Sequence, residues 1–267
     1  REHKLLLLED ACQSIGGSYK GKYLGTIGDA GTYSFDFVKT VTCAEGGAVI
    51  TNNKTTYLNC DGYTDHGHDH QGNDRGAELH PFIGYNYRIS ELHAAVGLAQ
   101  FRKLDTFLSI QKKNHQYLQA ALSKVPGIMF RTLPDPAGDS HTFLSWFMPS
   151  RELTGAVVAE MKAQQIFAGN FYWFDHNWHY IRKWDHLKTE KTLGRLTAAQ
   201  SAALKKIGTR DFSKSDDVMS RCISTAISLT WTGDQLQEKA AKMVAAINKV
   251  MANASPQAHH SQQASLA

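Results

Sequence analysis

Residues 5–8 are four leucines in a row, and Glu9-Asp10-Ala11-Cys12-Gln13 follow at once. A membrane helix needs roughly 18 apolar residues, so this run is too short to be one. It does not alternate with polar residues either. It therefore predicts a short strand over residues 4–9, buried on both faces. A strand covered on both sides needs a layer above and a layer below, which points to an α/β fold. Open α/β sheets place ligands just past the carboxyl ends of their strands. The polar residues after the leucines are thus the first candidates for a site.

The chain that follows supports that reading. Glycines 16, 17, 21, 25, 28 and 31 crowd a short stretch, with Tyr19-Lys20-Gly21-Lys22 as a hairpin tip. Strands are expected over 30–37 and 47–51, and one or two helical turns over 54–60. Residues 61–80 are polar and rich in Gly, Asp and His, and predict a loop long enough to be functional. Ser90 opens a helix, and a second covers about 104–124 until Pro126-Gly127 stops it. Beyond it come strands near 128–131 and 142–148 and a helix over 151–164 whose Leu153, Val157, Val158 and Met161 face inward. An aromatic loop (167–184), a helix (196–206), a strand (221–229) and a closing helix (233–252) complete the chain. The expected division is 1–115, then 116–252, with 253–267 a disordered tail.

Composition excludes some partners. There are 29 Lys and Arg against 25 Asp and Glu, a net charge of +4, with no basic block. That gives nucleic-acid binding no support. No apolar run predicts a membrane span, and residues 1–8 do not read as a signal peptide because two acids follow immediately. Cys12, Cys43, Cys60 and Cys222 are isolated, without a C-x-x-C pair. They suit a reducing compartment, so the expected location is cytoplasmic.

Three residues carry the chemistry. Lys39 follows a strand and sits among Phe35, Phe37, Val38 and Val41, with Glu45-Gly46-Gly47 close by. A lone lysine is usually a solvated surface group. One held among apolar walls can act as an amine nucleophile toward a carbonyl. Asp10 could be a turn former, or a carboxylate set against a heterocyclic N–H, where it would keep a pyridine nitrogen protonated. Ser34, at the end of a Gly-rich approach, could donate to a phosphate. The loop sequence Asp65-His66-Gly67-His68-Asp69-His70 suggests metal binding. No fixed ligand spacing backs it, and no metal is expected.

The order and spacing of these segments are more specific than any one of them. They run Glu9-Asp10-Ala11-Cys12-Gln13, Gly28-Asp29, Ser34-Phe35 with Lys39, and Glu45-Gly46-Gly47. Then come Gly84-Tyr85-Asn86-Tyr87-Arg88-Ile89-Ser90-Glu91 and Ala94-Ala95 with Gly97-Leu98. In this the chain resembles the sugar aminotransferases of the DegT/DnrJ/EryC1 type, up to about residue 250. The resemblance implies fold type I of the enzymes dependent on pyridoxal 5'-phosphate (PLP). Such a fold has a large domain with a mixed, mostly parallel sheet and a smaller α/β C-terminal domain. In the family the first half of the large domain precedes the segment at Asp10. The chain is therefore expected to be the back part of a longer one.

The family's roles are carried over residue by residue. Lys39 resembles the lysine that holds the cofactor covalently and later moves the proton. Asp10 matches the aspartate on the pyridine nitrogen, and Gln13 the side chain against the ring. Ser34 matches a phosphate ligand. Asn86 matches an asparagine given to the neighbouring subunit's phosphate, which implies a homodimer with shared active sites. Some relatives carry histidine at the position of Lys39 and act as dehydratases. A primary amine can condense with an aldehyde and histidine cannot, so lysine argues for transamination. The expected donor is L-glutamate, released as 2-oxoglutarate.

On the substrate side, His66 lies in a His-Gly step that the family has near its site. Tyr172 and His176 fall in an aromatic segment that lines the sugar pocket in relatives, although such residues could equally be packing. That segment, with the one around Lys39, resembles the branch that aminates carbon 8 of 3-deoxy-manno-octulosonate, a free acidic sugar. Arg88, Arg182, Lys183 or His176 could meet its carboxylate. The alternatives are a nucleotide-linked 4-keto or 3-keto hexose as acceptor, a PLP-dependent sugar dehydratase, and a non-catalytic sugar-binding relative.

Overall fold

The computed structural model describes residues 3–263, with side chains through residue 254. The chain divides into two compact units, 1–112 with 133–142, and 113–132 with 143–267. The sequence places this division after residue 115 and does not foresee that segment 133–142 returns to the first unit.

In the first unit, β1 (Leu8–Asp10) pairs parallel with β4 (Ala30–Ser34), and β4 pairs antiparallel with β5 (Gly47–Ile50). Between β1 and β4 lies a hairpin of β2 (Ser18–Tyr19) and β3 (Lys22–Tyr23). Its two turn residues, Lys20 and Gly21, both have positive φ, at 49° and 76°, as the tight turns that match strand twist require. Glu9 fixes the glycine-rich approach by accepting from the N–H groups of Gly25, Ile27 and Gly28 at 3.1, 2.6 and 2.7 Å. The backbone comes so close there that a Cβ on Gly31 would lie 2.0 Å from the Gly25 oxygen.

The leucines are not buried. Leu5, Leu6, Leu7 and Leu8 are 78, 88, 54 and 66 % exposed. The strand starts only at Leu8 and pairs on one side alone, with β4. Burial depends on the layers that cover a strand, and nothing in the leucine run itself supplies them.

Helix α1 (Lys54–Thr64) is longer than expected. Asn53 caps it by accepting from the Thr56 N–H at 2.9 Å, and it takes in the first residues of the expected 61–80 loop. Ser90 caps α2 (Glu91–Phe101) through the His93 N–H, as its position before an apolar run predicts. Helix α3 (Leu104–Leu122) carries the chain into the second unit.

The second unit is built on an antiparallel sheet of β6 (Met129–Phe130), β7 (Phe143–Phe147), β8 (Asn170–Tyr172) and β9 (Cys222–Ala226), in the order β6-β7-β9-β8. Helix α4 (Arg151–Ala163) buries Val157, Val158 and Met161, with Leu153 packed at the edge of the same core. Three helices, α5 (Asp185–Lys188), α6 (Ala198–Gly208) and α7 (Ser213–Arg221), lie between β8 and β9, and α8 (Gly233–Gln263) closes the chain. The core joins Leu118 and Leu122 of α3 to Trp146, Ile223, Met243 and Ile247.

Three expectations are corrected here. The aromatic loop contains β8, which the pairing with β9 stabilises although it is only three residues long. A strand was expected from 221, but α7 runs up to that point and the strand occupies Cys222–Ala226. The segment from 253, expected to be a disordered tail, continues α8 through Gln263. Residues 264–267 lie outside the described residues. Among the described residues, no helix is long and apolar enough to cross a membrane.

Candidate active site

Because β1 and β4 run parallel and in register, with Asp10 opposite Thr32, their carboxyl ends meet at one edge. The chain leaves β1 through Asp10 and β4 through Ser34. Backbone bonds and turns then place the chemistry. The Asp36 N–H donates to Ser34 Oγ at 3.4 Å, the Val38 N–H to Asp36 Oδ1 at 2.9 Å, and the Lys39 N–H to the Asp36 carbonyl at 3.2 Å. This turn brings Lys39 back toward the strand ends. Its Nζ lies 3.8 Å from Asp36 Oδ2, and its side chain is 16 % exposed.

Two of the four apolar residues expected around Lys39 stand open to solvent. Phe37 and Val38 are 72 and 59 % exposed, because the turn points them outward. Two carboxylates, Asp36 and Asp10, act on the amine. Asp10 accepts from the Cys12 N–H at 3.1 Å. Hydrogen bonds from the Cys12 thiol and the Cys12 N–H hold its carboxyl below the ordinary carboxylate range, and the Lys39 charge adds to them. The structure thus brings Asp10, Ser34 and Lys39 together. Gln13 lies just beyond Asp10 and is exposed.

PLP requires an amine for its aldehyde, an anion for its ring nitrogen and a donor for its phosphate. Lys39, the ionised Asp10 and Ser34 supply these three at one sheet edge, so the residues present fit the group.

Asn86 and Arg88 belong to a second cluster. Residues 63–66 and 85–87 form a backbone clip: Tyr85 N–H to Tyr63 O at 2.8 Å, His66 N–H to Tyr85 O at 3.0 Å, and Tyr87 N–H to Thr64 O at 2.9 Å. His66 is exposed on this clip with φ of 58°. Arg88 Nε donates to Asn86 Oδ1 at 3.1 Å, and its Nη1 is 3.4 Å from Asp65 Oδ1.

Asp65, which sequence reasoning passed over as one acid of a polar loop, is the hub. It is 5 % exposed and accepts from Arg75 Nη2 at 2.7 Å. Its Oδ2 is 3.1 Å from His70 Nε2, while His70 Nδ1 is 2.7 Å from Asp61 Oδ2. The Arg75 bond holds Asp65 far below the carboxylate range despite its burial. Asp61 first, then Asp65, raises His70 above the ordinary histidine value of 6.5.

A raised folded value means that the His70 contribution is complete below the ordinary value. It is lost as pH rises through the raised one. Wild-type chain is expected to lose protection of the 61–80 backbone over that window in hydrogen exchange corrected for intrinsic rates. His70→Gln should show no such step. Parallel pH profiles for the two would refute the bridge.

In the second unit, the two-residue period of β8 decides which aromatic side chains are presented. Asn170 and Tyr172 point inward and Phe171 outward. Tyr172, expected to bind substrate, is 9 % exposed, and its hydroxyl donates to the Ser220 carbonyl at 3.0 Å. It is a core residue. Phe171 takes its place on the outer side, stacked on Trp173 with centroids 5.6 Å apart. His176 contacts both rings and lies parallel to His179 at 5.7 Å. Burial, then the neighbouring His179, holds His176 below the ordinary histidine value and so keeps its imidazole neutral near pH 7. Strand alternation was the signal that could have separated Phe171 from Tyr172. Arg182 is committed to Asp216, with Nε at 2.7 Å, and Tyr180 donates to the same carboxylate. Lys183 is 3.5 Å from Asp175.

Comparisons with known proteins give the family and the fold. GDP-perosamine synthase of Escherichia coli O157:H7 is 40% identical over 116 residues, 42% of this chain and 30% of that protein. The dTDP-4-dehydro-2,6-dideoxy-D-glucose 3-dehydratase of Saccharopolyspora spinosa is 30% identical over 168 residues, 55% of this chain and 35% of that protein. Among solved structures, Helicobacter pylori PseC, an aminotransferase of pseudoaminic acid biosynthesis, superposes with a TM-score of 0.72 at 20% identity. That match covers 93% of this chain and 61% of PseC. The chain spans about a third of the first of these curated relatives and under two thirds of PseC. The fold is that of the PLP-dependent sugar aminotransferases, fold type I. The model of the DegT/DnrJ/EryC1/StrS aminotransferases matches residues 1–207, and the chain belongs to that family.

Proposed function

We propose that the protein transfers the amino group of L-glutamate to a keto-sugar or sugar aldehyde, leaving 2-oxoglutarate. The observation that carries this reading is a primary amine, Lys39, beside a carboxylate kept ionised, Asp10, at the carboxyl end of a parallel strand pair. PLP, when bound, supplies the electron sink that lets a proton leave the α-carbon of the amino acid. The residues do the rest. Lys39 Nζ would hold the cofactor through its aldehyde carbon and, once freed by the donor amine, would act as the general base for the α-proton of the amino acid. Asp10 holds the proton on the ring nitrogen. Ser34 donates to the phosphate, with Asn86 reaching the phosphate of a neighbouring subunit, which makes the assembly a homodimer. Gln13 would pack its side chain against the ring, and His66 and Arg88 would meet the substrate.

The proposed acceptor is 8-oxo-3-deoxy-manno-octulosonate, aminated at C8 for lipopolysaccharide sugar synthesis. The aromatic segment around His176 supports it. A relative named a lipopolysaccharide biosynthesis protein, from Salmonella typhimurium, is 31% identical over 202 residues, which supports an acceptor drawn from lipopolysaccharide sugar synthesis. Four free cysteines, Cys12, Cys43, Cys60 and Cys222, support a reducing, cytoplasmic setting. The second reading, a sugar dehydratase, draws on the 3-dehydratase relative, and Lys39 opposes it.

The test is amino transfer from ¹⁵N-glutamate to a panel of keto-sugars by the protein supplied with PLP. Label is expected in an 8-amino octulosonate. Turnover only with nucleotide-linked hexoses would overturn the acceptor, and loss of hydroxyl without gain of nitrogen would overturn transamination.

A further inference from the structure

We infer that Gln111 is a positioning residue for Lys39, acting through Thr40. The inference rests on the reading that Lys39 is the reacting amine. The lysine loop, residues 35–46, is closed at its neck, where the Phe35 N–H donates to the Gly46 carbonyl at 2.8 Å and the Cys43 N–H to the Phe35 carbonyl at 2.9 Å. Its far side is seated on α2. Val41 and Cys43 are each 1 % exposed, and Gly97 of α2 lies against Cys43, a Cβ there standing in ordinary contact at 3.4 Å from the Cys43 Cβ. These contacts hold the neck and the descending limb. They leave the peptide at Lys39 and Thr40 to be fixed by something else.

Gln111 does this from α3. It is 2 % exposed, and its Nε2 donates to Thr40 Oγ1 at 3.0 Å, across 71 residues of sequence. Its Oε1 is buried without a hydrogen-bond partner among the described residues. A leucine would fill this interior helical position without leaving a polar atom unmet. The amide therefore breaks a local packing rule, and what it obtains is a tether one residue from Lys39. Departures of this kind gather at functional sites. With the Asp36 carbonyl holding the Lys39 N–H on one side and Gln111 holding Thr40 on the other, the lysine backbone is clamped on both flanks. The clamp fixes where Nζ stands relative to Asp10.

The test reads the Lys39 amine directly, in the 267-residue chain, by acetic anhydride labelling and mass spectrometry across a pH series. Thr40→Val and Gln111→Leu are each expected to change the Lys39 labelling rate about three-fold or more, and the double variant by no more than either alone. Thr40→Ser, which keeps the hydroxyl, should restore the wild-type profile. Lys112 and Lys239 should label as before. A Lys39 rate unchanged in both single variants overturns the inference, as does an equal change at every lysine, which would mean general loosening. Borohydride reduction of the wild-type chain with PLP is run beside it. Absence of a pyridoxyl mass at Lys39 refutes the proposed function and leaves the labelling result for the clamp intact.

Discussion

A Lys39→Ala chain is expected to carry no pyridoxyl mass after incubation with PLP and borohydride, whereas the wild type carries one at Lys39. Amino transfer should fall by at least about 10²–10⁴-fold, the range for losing a positioned proton-transfer group, with loss of covalent capture adding to it. The prediction is specific because the turn from Asp36 to Lys39 directs this amine to the strand ends where Asp10 is held ionised. Lys39→Arg separates charge from nucleophilicity. It keeps the positive charge beside Asp10 and Asp36 but cannot condense with an aldehyde, so it should behave like alanine. An arginine variant that retains amino transfer would show that Lys39 acts only as a charge.

The second large effect concerns stability. Trp146→Ala should destabilise the second unit by about 3–5 kcal/mol, the usual cost of removing a large buried aromatic side chain. Trp146 is fully buried, at 0 % exposure, in β7. Its Nε1 donates to Thr225 Oγ1 at 3.2 Å, and that hydroxyl donates onward to Asn170 Oδ1 at 2.6 Å. The ring therefore fills the core and completes a polar chain linking β7, β9 and β8. Trp146→Phe keeps most of the volume and loses the donor, so it should cost much less, about 1 kcal/mol for the bond plus a small cavity. Denaturant midpoints followed by a probe in the second unit would measure both. A Trp146→Ala midpoint close to that of the wild type would mean that the sheet is not packed around this ring.

Motif order and element type were legible in the sequence for physical reasons. Ser90 before an apolar series is a cap because its hydroxyl can meet a free helix N–H, and it does so at His93. α3 stops at Leu122, shortly before Pro126-Gly127, neither of which continues a helix cheaply, and Gly127 takes φ of 83°. Lys39 and Asp10 could be paired as candidates because Asp10 ends one strand and Lys39 follows another. The miscast residues share one cause, which is that their environment comes from distant chain. The leucines before Asp10 read as buried and stand open. Tyr172 read as a pocket residue and is spent on the Ser220 carbonyl. Arg182 read as a free cation and is held by Asp216.

By itself the sequence determined the chemical groups: an amine after one strand, a carboxylate after another, and the family these imply. Residue identity and short-range turn propensity are enough for that. Only the tertiary structure decided which groups are available and what holds them. Asp65 became the centre of a charge cluster because Arg75, Arg88 and His70 converge on it from three points of the chain. Gln111 reached Thr40 from a helix 71 residues away. A side chain's burial and partners are properties of the packed arrangement, and local sequence does not contain the residues that arrive from elsewhere.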